Sequence, residues 1–386
     1  MATRTPTILY VQPVAERGGS DQALLRLIRA VAGAVTAHVV VPAEPPLRGD
    51  LEAAGATVHV VPMRRLTTSA GLAWWAAYAL GWPVAVARLW RLGRRVDADV
   101  VHTNSLHSWY GWAAALLLRR PHLWHAREVV TQSSAALRVE RLLTRRFADL
   151  VVAASATVAA QLPGARVEVV LDDADREAFR PGRAGAFRAA AGISDDVPLV
   201  VAASRLDTWK GIEVALAAWP AVRATRPDAV LAVAGGVVAG KEAFATGLQG
   251  RAEATGGVRW LGERPDVADL VADADVLVAL STTPEPWGLS VVEALACGVP
   301  VVATDLGGHR EILGRAEPGA GRLVVAADPA GTATAVLGLL PRATSTASRG
   351  RRPVLLAPLP RIDWSAVYAR LLAPSTSGHD IRDMPR

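Results

Sequence analysis

Short apolar runs rich in Val, Ile and Leu alternate with helix-length stretches along most of the chain. One series comprises Ile8–Val11, His38–Val41, Thr57–Val61, Val100–His102, Leu123–His125 and Leu150–Ala153. A second comprises Leu199–Ala203, Ala229–Ala234, Val258–Leu261, Val276–Ala279, Val301–Ala303 and Arg322–Val325. Helical patterns such as Asp21–Ala32, Ile212–Arg226 and Val291–Ala296 lie between the runs. Runs that are apolar on both faces and separated by helices predict parallel strands covered on both sides. The two series meet near Leu171–Gly185, which predicts an α/β chain of two Rossmann-like domains whose parallel sheets face a central cleft. The expected division is 1–175 and 176–361, with a last helix within 362–386 packing back on the first domain. Ligands of such sheets sit at the carboxyl ends of the strands, so both domains should offer loops to the same cleft. Pro341–Pro360, rich in Arg, Pro and Ser, reads as a loose excursion before the last helix.

One stretch breaks the alternation. Gly71 to Trp90 is twenty residues long with only Arg88 charged, which is nominally membrane-spanning length. Gly81 and Pro83 interrupt it, and Arg88, Arg91, Arg94 and Arg95 crowd its end. Two short apolar helices that pack on a core or rest on a bilayer face are expected, not a span.

Composition narrows the function classes. At 386 residues, with 51% hydrophobic and 20% charged, the chain can bury two cores and is not a disordered one. Its single cysteine, Cys297, excludes a disulfide framework and a cysteine-cluster zinc site, and fits a reducing compartment. The residues before Ile8 lack the apolar run of a secretory signal, so a cytoplasmic location is expected. The net charge of +6 lies wholly in residues 1–176, which hold 20 Arg and no Lys against 14 acidic residues. The same half carries seven of the twelve Trp. That bias suggests an anionic partner or a membrane surface; a solvated arginine face is the plainer alternative.

The motifs exclude more than they admit at first. No strand is followed by G-x-G-x-x-G, so a nicotinamide fingerprint is absent. Gly235 to Glu242 imitates a P-loop, but Glu242 stands where a hydroxyl should ligate magnesium and would repel a triphosphate. His102, His107, His122 and His125 lack carboxylates at metal-ligand spacing, so neither a metal nor a cofactor is expected.

The segment from Arg205 to Glu293 is informative. Arg205 and Lys210 leave the end of the run Leu199–Ala203, a fork and a point charge suited to a diphosphate. Pro284 and Pro286 hold Glu285 on a loop after Val276–Ala279. A helix can start at Gly288 or Leu289, where unpaired N–H groups make an anion site, and Glu293 lies in its first turns. A carboxylate repels phosphate but makes charge-assisted hydrogen bonds to hydroxyls. The combination reads as a site for a nucleoside diphosphate carrying a sugar.

These residues resemble glycosyltransferase family 4, retaining enzymes of the GT-B fold. The resemblance rests on Gly18-Gly19-Ser20, Asp99-Val-Val-His102, His125, Arg205 with Lys210-Gly211, and Glu285-x7-Glu293. Gly298-Val-Pro300 and Asp305-Leu-Gly307-Gly308 with Glu311 follow in register. It implies that Glu293 holds the nucleotide ribose and Glu285 the sugar hydroxyls. Arg205 and Lys210 would neutralise the leaving diphosphate, with backbone N–H of Gly18 or Gly19, Gly288 and Leu289 assisting. His125 would lie beside the anomeric carbon, and transfer would proceed with retention and no obligatory metal. Asp172-Asp173-Ala-Asp175 departs from the family's Asn-Gly turn at the domain crossing, requiring another backbone path or a left-handed Asp. A GT-B nucleotide-sugar epimerase and a non-catalytic nucleotide-sugar-binding protein are the alternatives. For the acceptor, Trp74, Trp75, Trp82 and Trp90 flanked by Arg64, Arg65, Arg91, Arg94 and Arg95 suggest a surface for anionic lipids, and a lipid-linked or amphiphilic acceptor. No nucleic-acid partner is expected.

Overall fold

All twelve runs form parallel strands. The computed structural model describes residues 4–15, 19–64, 71–341, 345–360 and 362–373. They fall into two units, Met1–Ala154 with Val158–Val170 and Arg361–Arg386, and Ser155–Thr157 with Leu171–Pro360.

In the first unit the strands are β1 (Thr7–Val11), β2 (Thr36–Val41), β3 (Ala56–Val60), β4 (Val100–Thr103), β5 (His122–Ala126), β6 (Leu150–Ala153) and β7 (Val167–Val169). They order as β3-β2-β1-β4-β5-β6-β7, parallel throughout. β7, at the sheet edge with Val167 and Glu168 half-covered and Val169 exposed, has no apolar run and was not foreseen. Successive β1 side chains go to opposite faces, Ile8 and Tyr10 into one core, Leu9 and Val11 into another. The Trp364–Leu372 helix, capped by Asp363, buries Trp364, Val367 and Tyr368 in the first of these. There the Tyr368 hydroxyl donates to Tyr10 Oη at 3.0 Å and lies 2.8 Å from His102 Nδ1.

The second unit contains β8 (Leu199–Ala203), β9 (Val230–Ala234), β10 (Val258–Gly262), β11 (Val276–Ala279), β12 (Val301–Thr304) and β13 (Gly321–Val324). Their order is β10-β9-β8-β11-β12-β13, again parallel. Connections reverse direction between β1 and β4 and between β8 and β11, the places where such sheets leave a crevice for ligands.

Two expectations are corrected, and a third, left open between two alternatives, is decided. Residues Leu72–Arg95 form one 24-residue helix that runs through Pro83 instead of two short ones. Proline in a helix forfeits a hydrogen bond and costs about 3 kcal/mol. Pro83 and Ala79 are solvent-exposed, which leaves the freed carbonyl open to water, while Ala85, Val86 and Leu89 are buried. The Trp82 indole also donates to Trp109 O at 3.0 Å. No helix among the described residues is long and apolar enough to cross a membrane.

The Pro341–Pro360 stretch is no loose excursion where it is described. A short helix, Thr346–Arg349, opens on a capping box at Ser345 and buries Arg349 completely. Arg349 Nε donates to Asp275 at 3.0 Å, joined on the same carboxylate by Arg188 at 2.9 Å and Arg352 at 2.8 Å.

At Asp172–Asp175 the backbone takes another path, since the non-glycine residues with positive φ among those described are Asp97, Arg119 and Ala327. Asp173 accepts from the N–H groups of Ala174 and Leu359 and from Arg176, and Asp172 O from the Trp287 indole at 2.8 Å.

Candidate functional site

In the second unit the site grows from the loops that follow β8 and β11, the two strands at the reversal point. After β8 the chain turns through Arg205, half-buried, to Lys210, whose N–H donates to Asp207 O. Gly211 then starts the Ile212–Thr225 helix with φ +69°. A Cβ at Gly211 would sit 1.9 Å from Leu280 O, so only glycine allows the two loops to meet there. Thr282 N–H donates to Trp209 O at 2.8 Å across the same junction.

This brings Lys210 to Glu285, a pairing the sequence did not foretell. Lys210 Nζ donates to both carboxylate oxygens of Glu285 at 2.9 and 2.8 Å and lies 4.0 Å above the Trp209 ring. Ser281 Oγ donates to the same carboxylate at 2.8 Å. Burial pushes the Glu285 carboxyl up, but Lys210, His309 and Ser281 outweigh it and hold it below its ordinary range. Glu285 is therefore an anion at neutral pH despite being 8% exposed.

A third loop locks the second. Gly308 N–H donates to Glu285 O at 2.7 Å, and a Cβ at Gly308 would fall 2.2 Å from Trp287 O. Gly288, at φ +100°, opens the Leu289–Ala296 helix, and Glu293 is half-buried within that helix. The first N–H groups of this helix have no intrahelical acceptor. Lys210, Ser281, Glu285, Ser290 and His309 line a cavity of about 20 Å³, room for about one water. His309, Ser281 and Trp209 were not singled out in the sequence; His309 lies inside the Gly307-Gly308…Glu311 pattern and could have been.

The P-loop imitation is closed off by its own residues. Lys241 pairs with Asp207, and Glu242 accepts from Gly240 N–H. No cluster of His, Cys, Asp or Glu suited to a metal occurs among the described residues.

The first unit carries its own polar group at the β1–β4 reversal. Asn104 donates to Gln12 Oε1 at 2.6 Å, Gln12 to Asp21 at 3.0 Å, and Arg127 Nε to Asn104 Oδ1 at 2.9 Å. His125, on β5, is 1% exposed and packs against His102 and Trp364. Burial, then Arg127 and His102, press its imidazole well below the ordinary value, so it is neutral. Gly19 is the first residue of the Gly19–Ala30 helix; Gly18 and Arg65 lie outside the described residues.

The expected surface is rearranged by the single helix. Trp74 is half-buried against the core and stacks on Tyr78 at 5.3 Å, whereas Trp75 is 43% exposed. The exposed stripe consists of Leu72, Trp75, Leu80 and Val84, followed by Arg88, Arg91, Arg94 and Arg95.

Comparison with known proteins gives consistent likenesses. The profile of the Glycosyl transferases group 1 family matches residues 185–344, and a Glycosyl transferase 4-like domain matches 18–167. A D-inositol 3-phosphate glycosyltransferase 2 of Catenulispora acidiphila is 32% identical over 299 residues, 70% of this chain and 69% of that one. The phosphatidyl-myo-inositol mannosyltransferase of Mycolicibacterium smegmatis is 36% identical over 169 residues, 42% of this chain and 40% of that one. Among solved structures, HepE of Anabaena in complex with UDP and glucose superposes with a TM-score of 0.74 at 24% identity, covering 89% of this chain and 92% of that one. Sucrose-phosphate synthase of Thermosynechococcus elongatus superposes at 0.71 and 20% identity, covering 95% and 97%.

Proposed function

The chain belongs to the Glycosyl transferases group 1 family, and from that premise we propose that it moves a sugar from a nucleoside diphosphate to an acceptor hydroxyl with retention, without a metal, at an anionic membrane face. The observation that carries the donor reading is the Lys210–Glu285 pair set against the amino end of the Leu289–Ala296 helix. A cation and the first N–H groups of a helix suit phosphate, and the ionised carboxylate beside them suits hydroxyls. As the glycosidic bond breaks, charge grows on the leaving diphosphate, and fixed cations stabilise that state most. Arg205 and Lys210 take this role, Glu285 the sugar hydroxyls, and Glu293 the ribose.

The first unit's contribution is the N–H of Gly19 for the diphosphate, the neutral His125 beside the anomeric carbon, and the Gln12–Asn104–Arg127 group, assigned to the acceptor side. The exposed Leu72–Arg95 stripe supplies peripheral attachment, apolar side chains first and arginines after, with the cytoplasm as the compartment. Each arginine near an anionic surface adds about 1 kcal/mol. An amphiphilic acceptor fits such a surface, and the relatives named for inositol phosphate and phosphatidyl-inositol make those two the first acceptors to assay. The test is a screen of UDP-, GDP-, ADP- and TDP-sugars for thermal stabilisation and for transfer or hydrolysis. Failure of every sugar nucleotide to bind rejects the donor reading.

A further inference from the structure

We propose that His309 is a positioning residue that takes up a proton when a diphosphate draws Lys210 away from Glu285, so that donor binding at this site is proton-coupled. The inference rests on the donor reading above. His309 is 1% exposed and stands at the start of the Gly308–Leu313 helix. Its ring backs onto Gly288: a Cβ there would fall 2.6 Å from Cδ2 and 3.0 Å from Nε2. Nδ1 lies 3.3 Å from Thr304 Oγ1. The ring lines the same small cavity as Lys210, Glu285 and Ser281.

The charged groups that act on the imidazole are Glu285 and Lys210, and they act in opposite directions. Burial and Lys210 favour the neutral ring, Glu285 favours the imidazolium, and burial prevails, so its value lies below the ordinary one. The cluster then holds one cation, one anion and a neutral ring. A diphosphate competes for the Lys210 ammonium, and each contact it gains weakens the one on Glu285. A nearly buried carboxylate without a cation is strongly disfavoured. His309 is the adjacent group able to supply that cation by binding a proton from solvent. The amino end of the Leu289–Ala296 helix also opposes an imidazolium, and a phosphate bound there cancels the opposition. Both changes raise the affinity of His309 for a proton in the bound state.

Titration calorimetry of the full chain with the best sugar nucleotide of the screen tests this, in buffers of different ionisation heat at one pH near 7.5. The diphosphate of a sugar nucleotide holds no proton that titrates near neutrality, so uptake belongs to the protein. The expected result is uptake of up to one proton, with binding tightening as pH falls, by at most about tenfold per unit. His309→Asn, similar in size and without a titrating group, should bind with a heat that no longer depends on the buffer. Buffer-independent heat in the wild type, or the same uptake in His309→Asn, overturns the proposal. Should that variant not fold, ring resonances of His309 in the wild type decide: the midpoint must rise on adding sugar nucleotide, and an unmoved midpoint overturns it. If no sugar nucleotide binds, the donor reading fails first and takes this one with it, an outcome distinct from binding without proton uptake.

Discussion

Replacing Lys210 by Met strands a carboxylate, and the structure bounds the cost. In the wild type the ammonium makes two short contacts to Glu285, whose remaining side-chain partner is Ser281. In the variant Glu285 stays ionised without a cation, binds a proton, or draws one onto His309. Protonation caps the variant's own share of the cost, to which the lost wild-type pairing adds: from an ordinary value of 4.5 to pH 7 is 2.5 units, about 3.4 kcal/mol at about 1.4 kcal/mol per unit. At pH 5.5 the same ceiling is about 1.4 kcal/mol. The sign is fixed on both sides. The depressed carboxyl of the wild type contributes stability above its unfolded value, and that contribution is lost as pH falls. A raised carboxyl in the variant costs stability as pH rises. The deficit of Lys210→Met must therefore grow with pH. Lys210→Met/Glu285→Gln should recover most of it, because no buried charge remains. Calorimetric unfolding of the wild type, both single variants and the double variant at pH 5.5 and 7.5 measures this. A deficit equal at the two pH values, or a double variant no better than Lys210→Met, refutes the reasoning. Turnover in Lys210→Met should fall by roughly 10²-fold or more, about 3 kcal/mol of transition-state stabilisation. Undiminished turnover would remove Lys210 from the site.

Four other outcomes are expected. Transfer should persist in excess EDTA, and loss that Mn²⁺ restores would overturn the metal-free reading. In the first unit, burial presses His122 to about 3 and His102 and His125 well below their unfolded value, so stability is whole above about 6.5 and lost below it. At pH 5 that is about 2 kcal/mol for His122, with His102 and His125 adding in the same direction, and near-UV circular dichroism unchanged from pH 7.5 to 4.5 would contradict it. Asp275→Asn should cost about 3–5 kcal/mol by leaving Arg188 and Arg349 buried without their carboxylate, a drop in Tm of roughly 10 °C or more; a variant as stable as the wild type refutes this. Flotation should show binding to anionic but not neutral vesicles, weakened by salt and by Leu72→Ser/Trp75→Ser/Leu80→Ser, and protein that stays at the bottom with every lipid rejects the membrane reading.

The sheets were legible because a strand buried on both faces must be apolar at every position, and the sequence writes that as an unbroken run. Leu199 to Ala203 is such a run, split between two cores. Val167–Val169 was not, because an edge strand covered on one side needs no run; β6 holds it by backbone pairing, and Val167 packs against the core. Pro83 misled for a related reason. Local propensity argues for a break, but one lost hydrogen bond on an exposed face is outweighed by the packing of the buried residues.

The candidate site was legible where charge sits beside a strand end, and illegible where geometry depends on what a residue leaves out. Arg205, Lys210 and Glu285 announce themselves through their chemistry. Gly211, Gly307 and Gly308 act by lacking a side chain, and only a second loop passing within 2.5 Å of the missing Cβ reveals the need. His309 escaped because its role follows from that contact: without the Gly288–His309 approach it reads as an ordinary helix-start histidine. Arg349 and Arg352 show the converse. An Arg-, Pro- and Ser-rich segment looks solvated until the position of Asp275, 74 residues earlier, is known. A single buried carboxylate at the start of β11 turns those surface-like residues into an anchor at the base of the strand whose far end leads to Glu285. Disturbing Asp275 should therefore be felt at Glu285 through the strand that joins them.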